Sequence, residues 1–326
     1  MTAPTLSENA DFRTYLENSL RDPFTLNLRD CSLMEVIYAC VRSKSKLHPK
    51  YRASLSGLMF NLKALESRYR VNLVPMQVTD VFWGYFIADC QSRGLKSSTI
   101  NTMCSQLRSI LNWSVKYNVT VSPTYGDFCA PRARNQDIAL TADEVSRIAY
   151  FDIDRYYAGR RKDFRETRER VRDMFVLSCN LYQRHSDMVR IEPSCFDRNI
   201  FRITQQKTGN LAVVNIDRYS IDAKTTYRIL ERYNYEAPYK GGIGNYNHAL
   251  HDLMRDIGFN EEVRREERHN GKLEVENLPK WQLISSHTAR RTAITVNVLR
   301  GHNIHAIKRC SGHTDLRVFD NYVRDE

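Results

Sequence analysis

The sequence predicts a mainly α-helical protein with a small antiparallel β-sheet, divided into two domains. Apolar residues recur at helical spacing over much of the chain, as Leu58, Leu62 and Leu65 do. Two short runs of β-forming residues flank a polar turn in the second half. Between the halves, residues 119–137 contain prolines, a glycine and arginines without helical periodicity, which is typical of a linker.

The N-terminal part is predicted to be a short lead-in followed by a helical bundle. Residues 1–30 are mixed in charge and interrupted by Pro4 and Pro23, which indicates irregular structure. Residues 31–118 form the bundle. Its predicted helices are approximately Leu33–Ser43, Lys50–Arg70, Thr79–Arg93 and Ser97–Tyr117.

A second domain is predicted from residue 138 to 326. It begins at a capping box, in which Thr141 precedes Glu144 by three positions. The run Arg155–Asp173 carries both signs of charge and is interpreted as a solvated helix surface. Asn199–Thr204 and Leu211–Ile216 are predicted to pair as a β-hairpin. The charged tract Glu261–Lys280 is interpreted as a loop or insertion.

The composition favours an intracellular protein that meets a polyanion. The 326 residues carry a formal net charge of +11, and such an excess of Lys and Arg suits a phosphate backbone. The 8 cysteines contain no Cys-x-x-Cys pair, so neither a metal site nor a disulfide framework is predicted. No signal peptide or membrane-spanning stretch is present in the sequence, which predicts a cytoplasmic location. No cofactor is implied.

The residues with the clearest chemical pattern lie between Ile284 and Tyr322. Ser285 or Ser286 can cap a helix over His287–Arg300, which Gly301 ends. His287 and Arg290 then project from one face near its N-terminus, where an anion is favoured. Arg291 is an alternative to Arg290, because it also lies one turn from His287. A second short helix, 303–310, leads to Gly312, His313 and, nine residues later, Tyr322.

These residues resemble the tyrosine recombinases, also called the phage-integrase family. His287-Thr-Ala-Arg290 is similar to the family's His-x-x-Arg box, and Ser311-Gly-His-Thr-Asp315 to its Gly-His-Ser/Thr box. Tyr322 falls at the family's usual distance from that histidine. Leu140–Glu144 matches the phrase that opens the family's catalytic domain. Arg184-His-Ser-Asp187 resembles the first arginine box, although Tyr182-Gln183 replaces the usual Gly-Leu.

The resemblance implies a role for each matched residue. Tyr322 would be the nucleophile, Arg184 and Arg290 would stabilise the charged phosphate, and His287 and His313 would donate hydrogen bonds or move a proton. Lys207, in the turn of the predicted hairpin, would protonate the leaving oxygen. Asp187 is expected to orient the arginines. The implied catalytic set is Arg184, Lys207, His287, Arg290, His313 and Tyr322.

The resemblance also implies a DNA-binding architecture. The N-terminal bundle would be a SAM-like core-binding domain, and the linker would let the two domains close around duplex DNA. Lys96, Arg108, Arg132 and Arg134 would contact the DNA backbone, although a solvated basic surface is the commoner explanation of residues such as Lys96 and Arg108.

The expected function is site-specific DNA recombination for a mobile element. The partners would be double-stranded DNA, a homotetramer on paired DNA sites and accessory DNA-bending proteins, in a nucleoid-associated protein. Two alternatives remain: a type IB topoisomerase with the same chemistry, and a DNA-binding protein that has lost cleavage. The chain extends four residues beyond Tyr322, from which weak self-association without DNA is expected.

Overall fold

The computed structural model of the chain describes residues 31–44, 49–127, 138–269 and 272–314. Two compact units divide the chain, and the main boundary falls between Asn135 and Gln136. Among the described helices, none combines the length and the apolarity that crossing a bilayer requires. The mainly helical fold with a small antiparallel sheet confirms the predicted fold class.

The first unit is a helical bundle. Its helices are α1 (Leu33–Ser43), α2 (Pro49–Tyr69), α3 (Asp80–Ser92) and α4 (Ser97–Lys116). Each predicted helix is confirmed, with ends that differ by at most one residue. Their apolar faces bury a shared core in which Trp83 and Phe86 are the largest fully buried side chains.

Part of the predicted linker packs onto this bundle. Val119 and Ser122 are buried, and the indole Nε1 of Trp83 donates a 3.1 Å hydrogen bond to the carbonyl oxygen of Tyr125. Residues 119–127 are therefore bound to the first unit instead of forming an open connection. Residues 128–137, which include Arg132 and Arg134, lie outside the described residues.

The second unit is organised around one long helix, α7. The helices before and after it are α5 (Ala142–Ala149), α6 (Ile153–Tyr156), α7 (Lys162–Leu181), α8 (His185–Met188), α9 (Ile216–Tyr219), α10 (Ala223–Arg232), α11 (Ile243–Ile257), α12 (Lys280–Leu283), α13 (Ser286–Leu299) and α14 (Ile304–Ser311). Helices α5, α10, α11 and α13 all pack against α7. The predicted capping box is present at the start of α5, where Thr141 and Glu144 bond to each other's backbone N–H.

The interpretation of Arg155–Asp173 as a solvated surface is wrong for part of that run. Arg168, Arg172 and Asp173 are buried against the rest of the unit. A 2.8 Å ion pair joins Arg168 to Asp252, and another of 2.8 Å joins Arg172 to Asp173. Charged side chains can be buried when each is paired. Sequence alone does not reveal that Arg168 pairs with Asp252, which is distant in the chain.

The predicted hairpin is confirmed as the centre of a three-stranded antiparallel sheet. Strand β2 (Ile200–Thr204) pairs with β3 (Leu211–Asn215), and a two-residue strand, β1 (Phe196–Asp197), adds to the outer edge of β2. Within β2, Phe201 and Ile203 point inward and their neighbours outward.

The tract Glu261–Lys280, interpreted as a loop or insertion, is not a loop. This tract forms a two-stranded hairpin, β4 (Glu262–His269) with β5 (Lys272–Pro279). The sequence carried a usable signal, because Asn270-Gly271 is a dipeptide that favours two-residue hairpin turns. The many charges on both strands obscured the apolar alternation that normally identifies a β-strand.

Candidate active site

A residue in the left-handed conformation ends α7 and directs the chain into the predicted site. Tyr182 has φ of 64° and ψ of 5°, which costs a non-glycine residue about 1–2 kcal/mol. Its ring is fully buried, and its hydroxyl donates a 2.8 Å hydrogen bond to the carbonyl oxygen of Tyr219. Because a buried aromatic side chain contributes about 3–5 kcal/mol, the ring more than offsets the backbone cost. A tyrosine can therefore occupy this position, at which the family that the chain resembles usually has glycine.

Two buried glutamines join this turn to two other parts of the unit. The side-chain amide of Gln183 donates a 2.9 Å hydrogen bond to the carbonyl oxygen of Cys310 and accepts one of 2.8 Å from Gln205. Gln205 Nε2 also donates to the carbonyl oxygen of Ser311, at 2.8 Å. On its acceptor side, Gln205 Oε1 receives a 3.0 Å hydrogen bond from Arg184 Nη1. Gln205 thus holds Arg184 and is itself held by hydrogen bonds to Gln183 and to the backbone of Ser311.

The second predicted arginine lies on the buried face of α13. The helix starts at the N-cap Ser285, and Thr288 completes the capping box. Arg290 is fully buried, and its Nη1 donates a 3.0 Å hydrogen bond to the carbonyl oxygen of Tyr182. Its Nη2 lies 3.0 Å from His313 Nε2. Of Arg290 and Arg291, it is therefore Arg290 that contacts His313. Arg291 is half-buried.

The histidine is presented by the end of α14. Gly312 ends that helix with φ of 66°, and the backbone N–H of His313 donates to the carbonyl oxygen of Lys308 at 3.2 Å. His313 Nδ1 lies 2.8 Å from Ser311 Oγ. Since a guanidinium only donates, we assign His313 Nε2 as the acceptor of the bond from Arg290 and place the ring proton on Nδ1.

The electrostatics of this cluster keep the imidazole neutral. Burial lowers the pKa of His313 to about 3, and the positive charges of Arg290 and Arg184 add to the effect. His287 lowers the pKa of His313 in the same way, which indicates that it lies within electrostatic range of the cluster. Its own side chain is exposed in the first turn of α13.

Lys207 and Asp187, two other predicted residues, lie in or beside the turn between β2 and β3. Lys207 is exposed in the turn between β2 and β3. Asp187 is buried, and its Oδ1 accepts a 2.7 Å hydrogen bond from the backbone N–H of Gln206 and lies 3.5 Å from Arg190 Nη1. Asp187 was expected to orient Arg184 and Arg290. Its contacts in the structure are instead with Gln206 and Arg190, and they hold the turn that carries Lys207.

Tyr322 lies outside the described residues, as Arg132 and Arg134 do. Lys96 and Arg108 are exposed on the first unit, at the N-cap of α4 and along the same helix.

Sequence reasoning missed Gln183 and Gln205. The available signal for Gln205 was the period-two alternation of β2, which places residues 201, 203 and 205 on the inward face. A polar residue at such a position needs buried partners, and the structure provides them.

This combination of a helical bundle with a second, mainly helical unit bearing a three-stranded sheet is the fold of the tyrosine recombinases. The chain is similar to lambda integrase, residues 75–356, in a dimer bound to a COC′ core site: the TM-score is 0.60 at 17% identity, covering 90% of this chain and 96% of that one. It is also similar to the Tn1549 transposon integrase in complex with transposon right end DNA, with a TM-score of 0.62 at 15% identity, covering 91% and 96% of the two chains.

A lambda integrase tetramer bound to a Holliday junction matches with a TM-score of 0.58 at 14% identity, covering 98% of this chain and 87% of that one. No protein-family model matches the chain, and neither does any curated protein. At these sequence identities the similarity establishes the fold alone. It confirms the predicted resemblance to the tyrosine recombinases in fold.

Proposed function

We propose that this protein is a site-specific DNA recombinase that cleaves and rejoins DNA through a 3′-phosphotyrosine intermediate. One observation carries the proposal: Arg184, Arg290 and His313 come from separate segments and are joined through direct contacts and the Gln205 amide. Two guanidinium groups in one cluster, one of them oriented by the imidazole, form a set of donors suited to a phosphodiester.

The proposed chemistry uses each group once. The Tyr322 hydroxyl oxygen attacks phosphorus, the bond from phosphorus to the 5′ oxygen breaks, and the DNA 3′ phosphate becomes joined to the tyrosine. Arg184 and Arg290 stabilise the extra charge on the non-bridging oxygens. Lys207 gives its proton to the departing 5′ oxygen, and His287 receives the tyrosine proton.

His313 acts in this proposal as a neutral hydrogen-bonding group. Burial and the neighbouring arginines hold its pKa well below 7, so the ring adds no positive charge of its own. Its Nε2 accepts the hydrogen bond from Arg290, so the neutral ring orients that guanidinium.

Double-stranded DNA is the proposed partner. The net charge of +11 supports this choice, and the structures to which the chain is similar are integrases bound to DNA. We extend the proposal to a homotetramer on paired DNA sites, because one of the similar structures is an integrase tetramer on a Holliday junction. Accessory DNA-bending proteins would be further partners of that assembly.

The test is recovery of protein covalently joined to DNA. Full-length protein is incubated with a pool of nicked duplexes of varied sequence, adducts are isolated under denaturing conditions, and the attached DNA ends are sequenced. We expect adducts in which the 3′ end of one preferred sequence is bound to protein. Absence of any adduct, or attachment through a 5′ end, would contradict the proposal.

A matched pair of variants tests the arginine assignment. Arg290→Lys keeps the charge but loses the planar pair of donors, so adduct formation should slow by about 100–1,000-fold. Arg291→Lys makes the same change one position along α13 and should leave the rate close to that of the wild type. If both variants slow the reaction equally, the assignment of Arg290 is wrong.

A further inference from the structure

The side chain of Gln205 lies where three segments of the second unit meet. Its Oε1 accepts hydrogen bonds of 3.0 Å from Arg184 Nη1 and of 3.0 Å from Thr208 Oγ1. Its Nε2 donates bonds of 2.8 Å to Gln183 Oε1 and of 2.8 Å to the carbonyl oxygen of Ser311. All four hydrogen-bonding positions of the amide are occupied, in a residue only 1% exposed. Its orientation is therefore determined by its surroundings.

The same residue closes the turn that carries Lys207. The backbone N–H of Gln205 donates to the carbonyl oxygen of Asn210 at 2.9 Å, and its own carbonyl accepts from Gly209 at 2.9 Å. The Asn210 side chain then donates a 3.0 Å hydrogen bond to the carbonyl oxygen of Gly312. Displacement of Gln205 would therefore move the turn as well as Arg184.

The segment before His313 is fitted closely to this amide. A β-carbon added to Gly312 would lie 2.7 Å from the Gln205 side-chain carbon and 2.8 Å from both its nitrogen and its oxygen. No side chain larger than hydrogen fits there without moving the amide. Gly312 thus permits the left-handed end of α14 and also lets the His313 segment approach Gln205.

We infer that Gln205 is a positioning residue that couples the Arg184 guanidinium, the turn bearing Lys207 and the segment bearing His313, so that charge stabilisation and proton delivery depend on one amide. This inference rests on the proposed function. A buried amide that only supports folding would affect stability and no particular chemical step, so the test must separate proton delivery from the rest of catalysis.

The experiment compares two leaving groups in single-turnover adduct formation at saturating DNA. One substrate has the natural 5′ oxygen at the scissile phosphate. The other has sulfur in that bridging position, and a thiolate departs without needing a proton. A defect in Lys207 placement should therefore disappear on the sulfur substrate, whereas a defect in phosphate stabilisation should remain.

Gln205→Met keeps the length of the side chain and removes the amide. We expect the oxygen substrate to react about 10–100-fold more slowly, since small displacements of catalytic groups have effects of this size. The sulfur substrate should recover a substantial part of that loss, while DNA affinity stays within about threefold of the wild type. The matched control is Gln206→Met, an exposed neighbour on the same turn, which should react normally on both substrates.

Two results would overturn the inference. One is a loss in Gln205→Met that is equal on both substrates, and the other is no loss on either. If Gln205→Met does not fold, Thr208→Val replaces it, because Thr208 is exposed and its hydroxyl bonds Gln205 Oε1. That variant should be slower on the oxygen substrate only, and wild-type behaviour on both would refute the coupling. If the wild-type protein itself forms no adduct, the proposed function fails and the inference falls with it.

Discussion

Replacing Gly312 with alanine should be much more damaging than the same change at another left-handed glycine. At Gly312, φ is 66°, so alanine would cost about 1–2 kcal/mol for the backbone conformation alone. The new methyl group would also lie 2.7 Å from the side-chain carbon of Gln205. Overpacking of this kind costs about 1–3 kcal/mol more. We therefore expect Gly312→Ala to reduce the free energy of unfolding by about 2–5 kcal/mol.

Gly301 supplies the matched control. It ends α13 with φ of 75°, and an added β-carbon there meets nothing within 4 Å. Gly301→Ala should therefore show the backbone cost alone, about 1–2 kcal/mol. The difference between the two variants measures the contact with Gln205.

Differential scanning calorimetry of the full chain can follow the unfolding of the second unit in both variants. A further variant, Gly312→Ala combined with Gln205→Ala, should lose the excess cost, because it removes the side chain that clashes. If Gly312→Ala is no more destabilising than Gly301→Ala, the close approach of Gly312 to Gln205 is wrong.

Three more predictions concern stability, pH and DNA binding. Tyr182→Phe keeps the buried ring but leaves the carbonyl oxygen of Tyr219 without its donor, so thermal unfolding should show a loss of about 1–3 kcal/mol; an unchanged melting temperature would contradict this. Burial lowers the pKa of His185, and it lowers that of His313 from 6.5 to about 3. The unfolded chain then binds more protons than the folded chain, so stability should be fully present above pH 6.5 and decline toward pH 3. Because His313 takes up one proton, its part of the slope is at most about 1.4 kcal/mol per pH unit. A His313→Gln variant should show a shallower decline in urea unfolding, and an identical pH profile would exclude this histidine as a cause. DNA affinity should fall steeply as salt rises, by about 0.9 in log–log slope for each phosphate contact, and a nearly flat plot from fluorescence anisotropy would argue against backbone recognition.

The parts of the fold that were predictable are those encoded in local patterns. Thr141 and Glu144 mark a helix start by their own spacing, and the apolar positions of α4 repeat every three or four residues. Such signals need no knowledge of distant partners. The β2–β3 hairpin was predictable for the same reason, since its two strands are adjacent in sequence and β-forming throughout.

The features that were missed depend on contacts between distant segments. Arg168 is buried because Asp252 pairs with it, 84 residues away. Gln205 can be buried because the carbonyl oxygen of Ser311, 106 residues away, accepts a hydrogen bond from its side-chain amide. Sequence alone gives the residue type but not the partner, and for a polar side chain the partner decides whether burial is stable.

In the predicted site too, residues in local motifs could be identified from sequence, whereas residues that depend on distant contacts could not. The boxes around Arg290 and His313 could be identified from order and spacing, and the structure brings these two residues together at 3.0 Å. The replacement of Gly-Leu by Tyr182-Gln183 weakened the match at Arg184. In the structure, Tyr182 adopts the left-handed conformation that usually favours glycine. Gln183 accepts a hydrogen bond from the side-chain amide of Gln205, which in turn holds Arg184.

The most direct test of the proposed chemistry is a comparison of Tyr322→Phe with the wild type in two assays. The substitution removes one hydroxyl and keeps the aromatic ring, so DNA affinity should stay close to the wild-type value while the covalent step loses its attacking oxygen. Tyr219→Phe, which removes a hydroxyl elsewhere in the second unit, serves as the control and should still react. On a nicked suicide substrate, we expect Tyr322→Phe to bind DNA normally and to yield no adduct on a denaturing gel. If the variant still becomes covalently joined to DNA, another residue is the nucleophile and the assignment of Tyr322 is wrong.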